Sequence, residues 1–231
     1  MKTTIIGFLF FLFLSNGFSQ DLSYTVHGKY KHPITKEKLI DARSMSDLIP
    51  YYPSSWIDSY ISAEISAISS GNTLTAASPN DIFSEEQINM LSSLDFGDEI
   101  IINIKYRLKS TITNEGGNGN MNYSATVVPE TEAEYSDGYE QLKQYIKHNA
   151  IDKISVEDTK DLQQAVVRFT VNEEGKIAGA QISKSSGIPG VDKLLLEVIN
   201  DMPEWKPASD SQGAKVKQEF EFTLSGANDG C

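Results

Sequence analysis

Cysteine is almost absent from this chain. The one present, Cys231, is the last residue, so an intramolecular disulfide framework is excluded and the thiol is read as an incidental tail group. Histidine is nearly as scarce. His27, His32 and His148 form no His-x-x-x-His pattern, no Cys-x-x-Cys exists, and His27 and His32 would fall on opposite faces of a continuing strand, so no metal site is expected. There is no Gly-x-Ser-x-Gly elbow and no phosphate-cradling glycine loop. Carboxylates are too plentiful for any pair of them to carry information. The expectation is a protein that is not an enzyme, with no catalytic residue and no cofactor. Basic residues are also in deficit: 20 Lys and Arg against 32 Asp and Glu give a formal charge of −12 with no basic cluster. That balance excludes nucleic acid and anionic membrane surfaces as partners, since phosphate binding needs clustered cations; the acidity itself reads as solubility.

Long apolar runs are missing after the first, Ile5–Leu14. With Lys2 before it and Gly17 and Ser19 after it, residues 1–19 read as a cleavable signal peptide with cleavage before Gln20. The alternative is a retained anchor, but a spanning helix wants about 20 apolar residues and this run meets Ser15 and Asn16. No cysteine directly follows the run, so a lipid anchor at a mature N-terminal cysteine is excluded. The expected mature chain is periplasmic and not membrane-spanning, with room for one large or two small domains.

What is there divides near residue 129. The fold class expected is α+β in two small domains: residues 20–128, a linker at 129–135, a second domain over 136–225 and a tail at 226–231. In the first half Tyr24–Tyr30 reads as a strand. Ser54–Ser70 puts Ile57, Ile61, Ile65 and Ile68 on one helical face ended by Gly71. Ser84 with Gln87 makes a capping box, flanked by Phe83 and Ile88 as a hydrophobic staple. Ile100 to Leu108 alternates, with Lys105 and Arg107 facing solvent, and Tyr123, Ala125 and Val127 alternate after a glycine- and asparagine-rich loop at 109–120 that reads as long and mobile. Tyr51, Tyr52 and Trp56 read as packing beside the Ile57 helix, the alternative being an exposed binding patch.

The second half has a clearer plan. Asp137 with Glu140 is a capping-box candidate opening a helix that bears Tyr139, Leu142 and Ile146. Ala165, Val167, Phe169 and Val171 alternate into a turn at Asn172–Gly175, and Lys176–Ser183 returns as the partner strand. Pro189 suits the first turn of a helix carrying Val191, Leu195, Val198 and Ile199. Val216, Gln218, Phe220, Phe222 and Leu224 make one face of a last strand. Trp205, between Pro203 and Pro207, reads as a buried ring docking the connection onto the sheet. Two helices on a three-stranded antiparallel sheet result.

The acidic lead-in Glu132–Glu140, the hairpin Val167–Ile177, the loop Ser185–Asp192 and the stretch Met202-Pro203-Glu204-Trp205-Lys206-Pro207-Ala208 with Gly213 and the closing strand together resemble the TonB C-terminal domain family in its Bacteroidetes-like form, over residues 130–225. The founding members of that family sit in the inner membrane and transmit proton-motive force to outer-membrane transporters, and their C-terminal domain takes a short transporter segment as an added strand. The resemblance implies that the receptive edge is the last strand, Ala214–Leu224, with Lys215, Lys217, Glu219, Glu221 and Thr223 on its polar face. An edge offers unpaired N–H and C=O groups to an extended peptide, and the same charged residues read equally as protection against aggregation.

Two departures separate this chain from an energy transducer. No polar Ser-and-His motif lies on a spanning helix, and there is no proline-rich spacer of the kind that crosses a periplasm at about 3.1 Å per residue. The Tyr-Pro pair common in the family after the first helix is replaced by Asn149-Ala150-Ile151-Asp152. The expectation is a non-catalytic binding protein whose partner is an envelope or outer-membrane transporter protein. The alternatives are a true transducer with a retained anchor and a structural envelope protein that self-associates, for instance as a homodimer.

Overall fold

The computed structural model describes residues 22–109 and 117–226. The signal peptide expected at 1–19, residues 110–116 of the glycine-rich loop and Cys231 lie outside the described residues. In chain order the first elements are β1 (Ser23–Gly28), β2 (Pro33–Thr35), α1 (Lys36–Asp41), α2 (Met45–Leu48), β3 (Ile57–Ser69), β4 (Asn72–Ser78), α3 (Glu85–Ser92), β5 (Glu99–Leu108) and β6 (Asn118–Val128). Then come β7 (Glu134–Tyr135), α4 (Tyr139–Asn149), α5 (Asp158–Asp161), β8 (Ala165–Val171), β9 (Ile177–Lys184), α6 (Pro189–Asn200), β10 (Trp205–Lys206), β11 (Ala208–Ser209), β12 (Lys215–Val216) and β13 (Gln218–Ser225). Helices and mostly antiparallel sheets make it an α+β protein.

Two hydrophobic cores form. The first lies on one face of a five-stranded sheet ordered β2-β6-β5-β3-β4. The alternation of β5 sends Ile100, Ile102 and Ile104 inward, where they meet Ala63, Ile65 and Ala67 of β3, Leu39 of α1, Met45 and Leu48 of α2, and Met90 and Leu91 of α3. Lys105 and Arg107 are exposed on the other face, as expected. The capping box of α3 is present, with Ser84 Oγ accepting from Gln87 N at 3.3 Å and Gln87 Oε1 accepting from Ser84 N at 3.0 Å. Gln87 is fully buried, and its Nε2 donates to the carbonyls of Ala63 and Ala76, both at 3.2 Å. One amide side chain thus satisfies buried backbone groups on two strands and ties α3 to them.

The helix expected at Ser54–Ser70 is instead β3. Its isoleucines happen to recur at a helical spacing, but beyond Ile57 the residues buried are the alternate set Ala63, Ile65 and Ala67, while Ile61 is 49% exposed. Pairing with β4 on one side and β5 on the other gives this Ile- and Ser-rich stretch ladder partners along nearly its whole length, and β-branched side chains favour that pleated environment. Gly71 does not end a helix. With Ser70 (φ 50°) and Gly71 (φ 80°) both left-handed, the pair forms the tight connection of the β3–β4 hairpin. The aromatic expectation beside that helix fails with it: Tyr51 and Trp56 are exposed, and only Tyr52 packs on the core, its hydroxyl donating to Tyr60 at 3.0 Å.

The second core lies beneath a sheet ordered β1-β13-β8-β9, antiparallel throughout. β8, β9 and β13 are the three strands expected from the sequence. Leu142 and Ile146 of α4 and Val191, Leu195, Val198 and Ile199 of α6 share a cluster with Val167, Phe169, Phe220, Phe222 and Leu224. Pro189 occupies the first turn of α6. The Asp137–Glu140 box is not formed: Gly138, at φ 89°, is the N-cap of α4 and offers no side-chain acceptor. The fourth strand, β1, comes from the other end of the chain, so the strand expected in the first half belongs to the second sheet.

Asp192 fixes the loop ahead of α6. Its carboxylate accepts from Ser185 Oγ at 2.5 Å and Ser186 N at 2.8 Å. Burial alone would raise its pKa, but the serine hydrogen bonds outweigh burial and hold it below the usual carboxylate value. A lowered folded pKa stabilises above the unfolded value, and that stability is lost as pH falls through the folded one. Asp192→Asn is therefore expected to lower stability by about 1 kcal/mol at neutral pH. The gap from the parent should close as urea midpoints are measured at pH values below the ordinary Asp pKa of about 4.

Candidate binding edge

The last strand is the receptive edge that the family resemblance singled out; in the structure β13 is not a free edge but lies between β1 and β8, and its five named residues are placed unequally. Glu219, Glu221 and Thr223 lie on β13 with side chains directed away from the core, because Gln218, Phe220, Phe222 and Leu224 take the buried positions. Lys215 lies on β12, which pairs with β11, its partner being Ser209. Lys217 falls between β12 and β13 and lines an open polar cleft of about 400 Å³ with Lys29, Asp95, Asp98, Glu99 and Glu219. The strand expected at 214–224 is therefore two short pieces, the first turned toward a different partner.

Along the edge itself, β1 pairs with β13 in continuous register from Ser23↔Ser225 to Gly28↔Phe220. Tyr24 lies opposite Leu224 and Val26 opposite Phe222, so both sit half-buried at the rim of the core, while Ser23, Thr25 and His27 are exposed. The Tyr24 hydroxyl donates to the Lys143 carbonyl on α4 at 3.1 Å. The charged residues of the edge have partners. Lys29 Nζ meets Glu219 at 2.7 Å and Arg168 Nε meets Glu221 at 2.7 Å, the latter pair reaching across from β8.

A small polar network closes the end of this edge. Gln218 is the one polar residue among the inward positions of β13 and is 5% exposed. Its Oε1 accepts from Ala133 N at 2.7 Å, and its Nε2 donates to Glu132 at 3.3 Å. Glu132 also accepts from the Tyr30 hydroxyl at 2.8 Å. Burial first, and the Glu132 hydrogen bond second, push the Tyr30 phenol up from its ordinary value. Residues 129–135, expected as a linker, are thereby attached to the sheet; Thr131 also exchanges backbone hydrogen bonds with Ser209 at 3.0 and 2.9 Å.

Trp205 is the buried ring expected. It is 4% exposed and lies 4.9 Å from the ring of Phe220, 5.7 Å from Tyr135 and 6.0 Å from Phe169. Among the described residues its Nε1 has no hydrogen-bond partner. A second cleft, of about 370 Å³, lies between α1 and the Asp210–Gln212 turn, floored by Phe96 beneath the Lys36 ammonium. Among the described residues no group of three His, Cys, Asp or Glu side chains is placed to hold a metal ion, and no helix is long and apolar enough to cross a membrane.

The residues missed from the sequence are those of the junction: Lys29, Tyr30, Glu132 and Gln218. The available signal was Gln218 itself, a polar side chain at an inward position of an otherwise apolar alternation, which requires a buried partner. No curated protein and no solved structure matches the chain. The family described as TonB C terminal matches residues 135–224, the stretch that folds into α4, α6 and the strands β8, β9 and β13. Over that segment the chain is similar to the TonB C-terminal domain family.

Proposed function

We propose that this chain is an exported, non-catalytic binding protein of the periplasm, which takes an extended segment of an envelope protein or outer-membrane transporter as an added strand on its C-terminal sheet. The similarity to the TonB C-terminal domain family supports the protein-interaction and transport-related part of this reading. The observation that carries the strand-addition part is β1. A six-residue segment, remote in the chain and joined to β13 by no hairpin, lies along the β13 edge in full antiparallel register. That side of β13, including Glu219, Glu221 and Thr223 and flanked by Lys215 and Lys217, accepts a strand by backbone pairing, and a partner strand there would take the place that β1 holds. Residues 129–135 are taken as the junction between the two units, with the five-stranded unit supporting the C-terminal one.

The test is an NMR titration of the protein spanning residues 20–231 with synthetic transporter N-terminal peptides at up to millimolar concentration. The expected result is a set of amide shifts running along residues 218–225 and their sheet neighbours. Silence along every strand of the C-terminal sheet at the highest concentration would sink the reading.

A further inference from the structure

We propose that residues 23–28 are a self-supplied ligand of the β13 edge, which a partner strand must displace, and that their side-chain pattern describes the peptide this edge accepts. The proposal rests on the strand-addition reading and adds to it an occupant, a competition and a sequence preference.

Three observations carry it. First, β1 buries far less of itself than β13, the strand it pairs with, or β8 beyond it. β8 buries Ala165, Val167, Phe169 and Val171, and β13 buries Gln218, Phe220, Phe222 and Leu224. β1 buries only Gly28, which has no side chain, and leaves Tyr24 and Val26 half-exposed at the rim. Its hold is mainly the backbone ladder, and any extended peptide can replace ladder hydrogen bonds one for one. A segment with so little side-chain burial belongs to the low end of local opening free energies.

Second, β1 is tethered at one end by contacts that do not depend on the strand itself. Tyr30 is held by Glu132 at 2.8 Å, Glu132 by Gln218 at 3.3 Å, and the Lys31 N–H by Thr126 Oγ1 at 3.0 Å. When Ser23–Gly28 leaves the edge, the chain remains anchored beside Gln218. The released strand then competes from a tethered distance, where effective concentrations are in the millimolar range.

Third, the register reads out the subsites. Positions two and four of the bound strand, held now by Tyr24 and Val26, face Leu224 and Phe222 at the core rim and favour apolar side chains. Positions one, three and five face solvent. The residue just past the strand, Lys29, donates its N–H to the Glu219 carbonyl at 2.9 Å and its ammonium to the Glu219 carboxylate at 2.7 Å. The fitting partner is an extended peptide of the form x-apolar-x-apolar followed within three residues by a cation.

The alternation of an antiparallel ladder aims the N–H groups of Thr25 and His27 at β13, as it does that of Lys29. Proline at both positions removes those donors and frees the edge without touching β13. The probe is a synthetic peptide of residues 22–30, blocked at both ends, added to the 20–231 protein with and without Thr25→Pro and His27→Pro. The substituted protein is expected to bind at least about tenfold more tightly, with shifts confined to β13 and its flanks. Equal affinity for the two proteins, or no binding to the substituted one, overturns the proposal.

A second measurement needs no substitution. In the unsubstituted protein the Thr25 and His27 amides are expected to exchange with solvent at least about tenfold faster than those of β8, and equal protection overturns the proposal. A transporter peptide run on the same two proteins reports separately on the function. If it binds neither while the 22–30 peptide binds the substituted form, the partner assignment falls and the self-ligand stands.

Discussion

Gly175→Ala is expected to cost about 3 kcal/mol of stability, the sum of left-handed backbone strain and a forced backbone displacement. Gly175 sits at φ 79° in the turn between β8 and β9, and a Cβ there would lie 2.0 Å from the carbonyl oxygen of Trp205. That neighbour is backbone, so no side-chain rotation relieves it. The Trp205 N–H donates to the Gly175 carbonyl at 2.8 Å, so moving the two chains apart also stretches the bond that docks the turn. A thermal midpoint lower by roughly 6–12 °C would be read by circular dichroism. Gly213 supplies the control. Its φ of 80° matches, but no atom of the described residues lies within 4 Å of its absent Cβ, so Gly213→Ala should show only the strain, about 1–2 kcal/mol. Equal losses at the two sites would mean that the contact with Trp205 carries no weight.

Trp205→Ala should cost about 3–5 kcal/mol in urea denaturation, the range for deleting a large buried aromatic. The ring joins Tyr135 of β7, Phe169 of β8 and Phe220 of β13, so its loss opens a cavity where three strands and the connection after α6 meet. Trp205→Phe is expected to lose about 2 kcal/mol or less, because it keeps an aromatic ring in place and leaves fewer contacts unfilled. The indole N–H is expected to add nothing to the difference, since it has no partner among the described residues. A loss for phenylalanine as large as that for alanine would show that the polar atom matters after all.

The C-terminal unit was readable because its signals are local. Alternation at 165–171 and 218–224, Pro189 at a first helical turn and the turn at Asn172–Gly175 each concern neighbouring residues. The reading failed at 57–69 for a specific reason. The inward positions there are filled by Ala63 and Ala67 beside Ile65, and alanine marks neither face, so the isoleucines spaced by three and four dominated the pattern. Lys215 was placed on the wrong sheet because the alternation runs unbroken through Val216 to Leu224 while the backbone pairing changes at Lys217. The strand character of Tyr24–Gly28 was visible and its partner was not. Period two tells that a segment is extended, but it carries no information about which edge, some 190 residues away by the Lys29–Glu219 contact, will receive it.

That separation has a consequence for how the chain comes to its final form. β1 precedes β13 in the chain by a separation of 190 residues at the Lys29–Glu219 contact, so the pair closes only after everything between them exists. Closing so long a loop is entropically costly and defers the contact to a late step, after the local hairpins β3–β4 and β8–β9 have formed. A newly made molecule therefore passes through an interval in which β8, β9 and β13 are paired but β1 is still free. In that interval the β13 edge is open to whatever extended segment is near, and folding order alone gives a neighbour the first opportunity to occupy it.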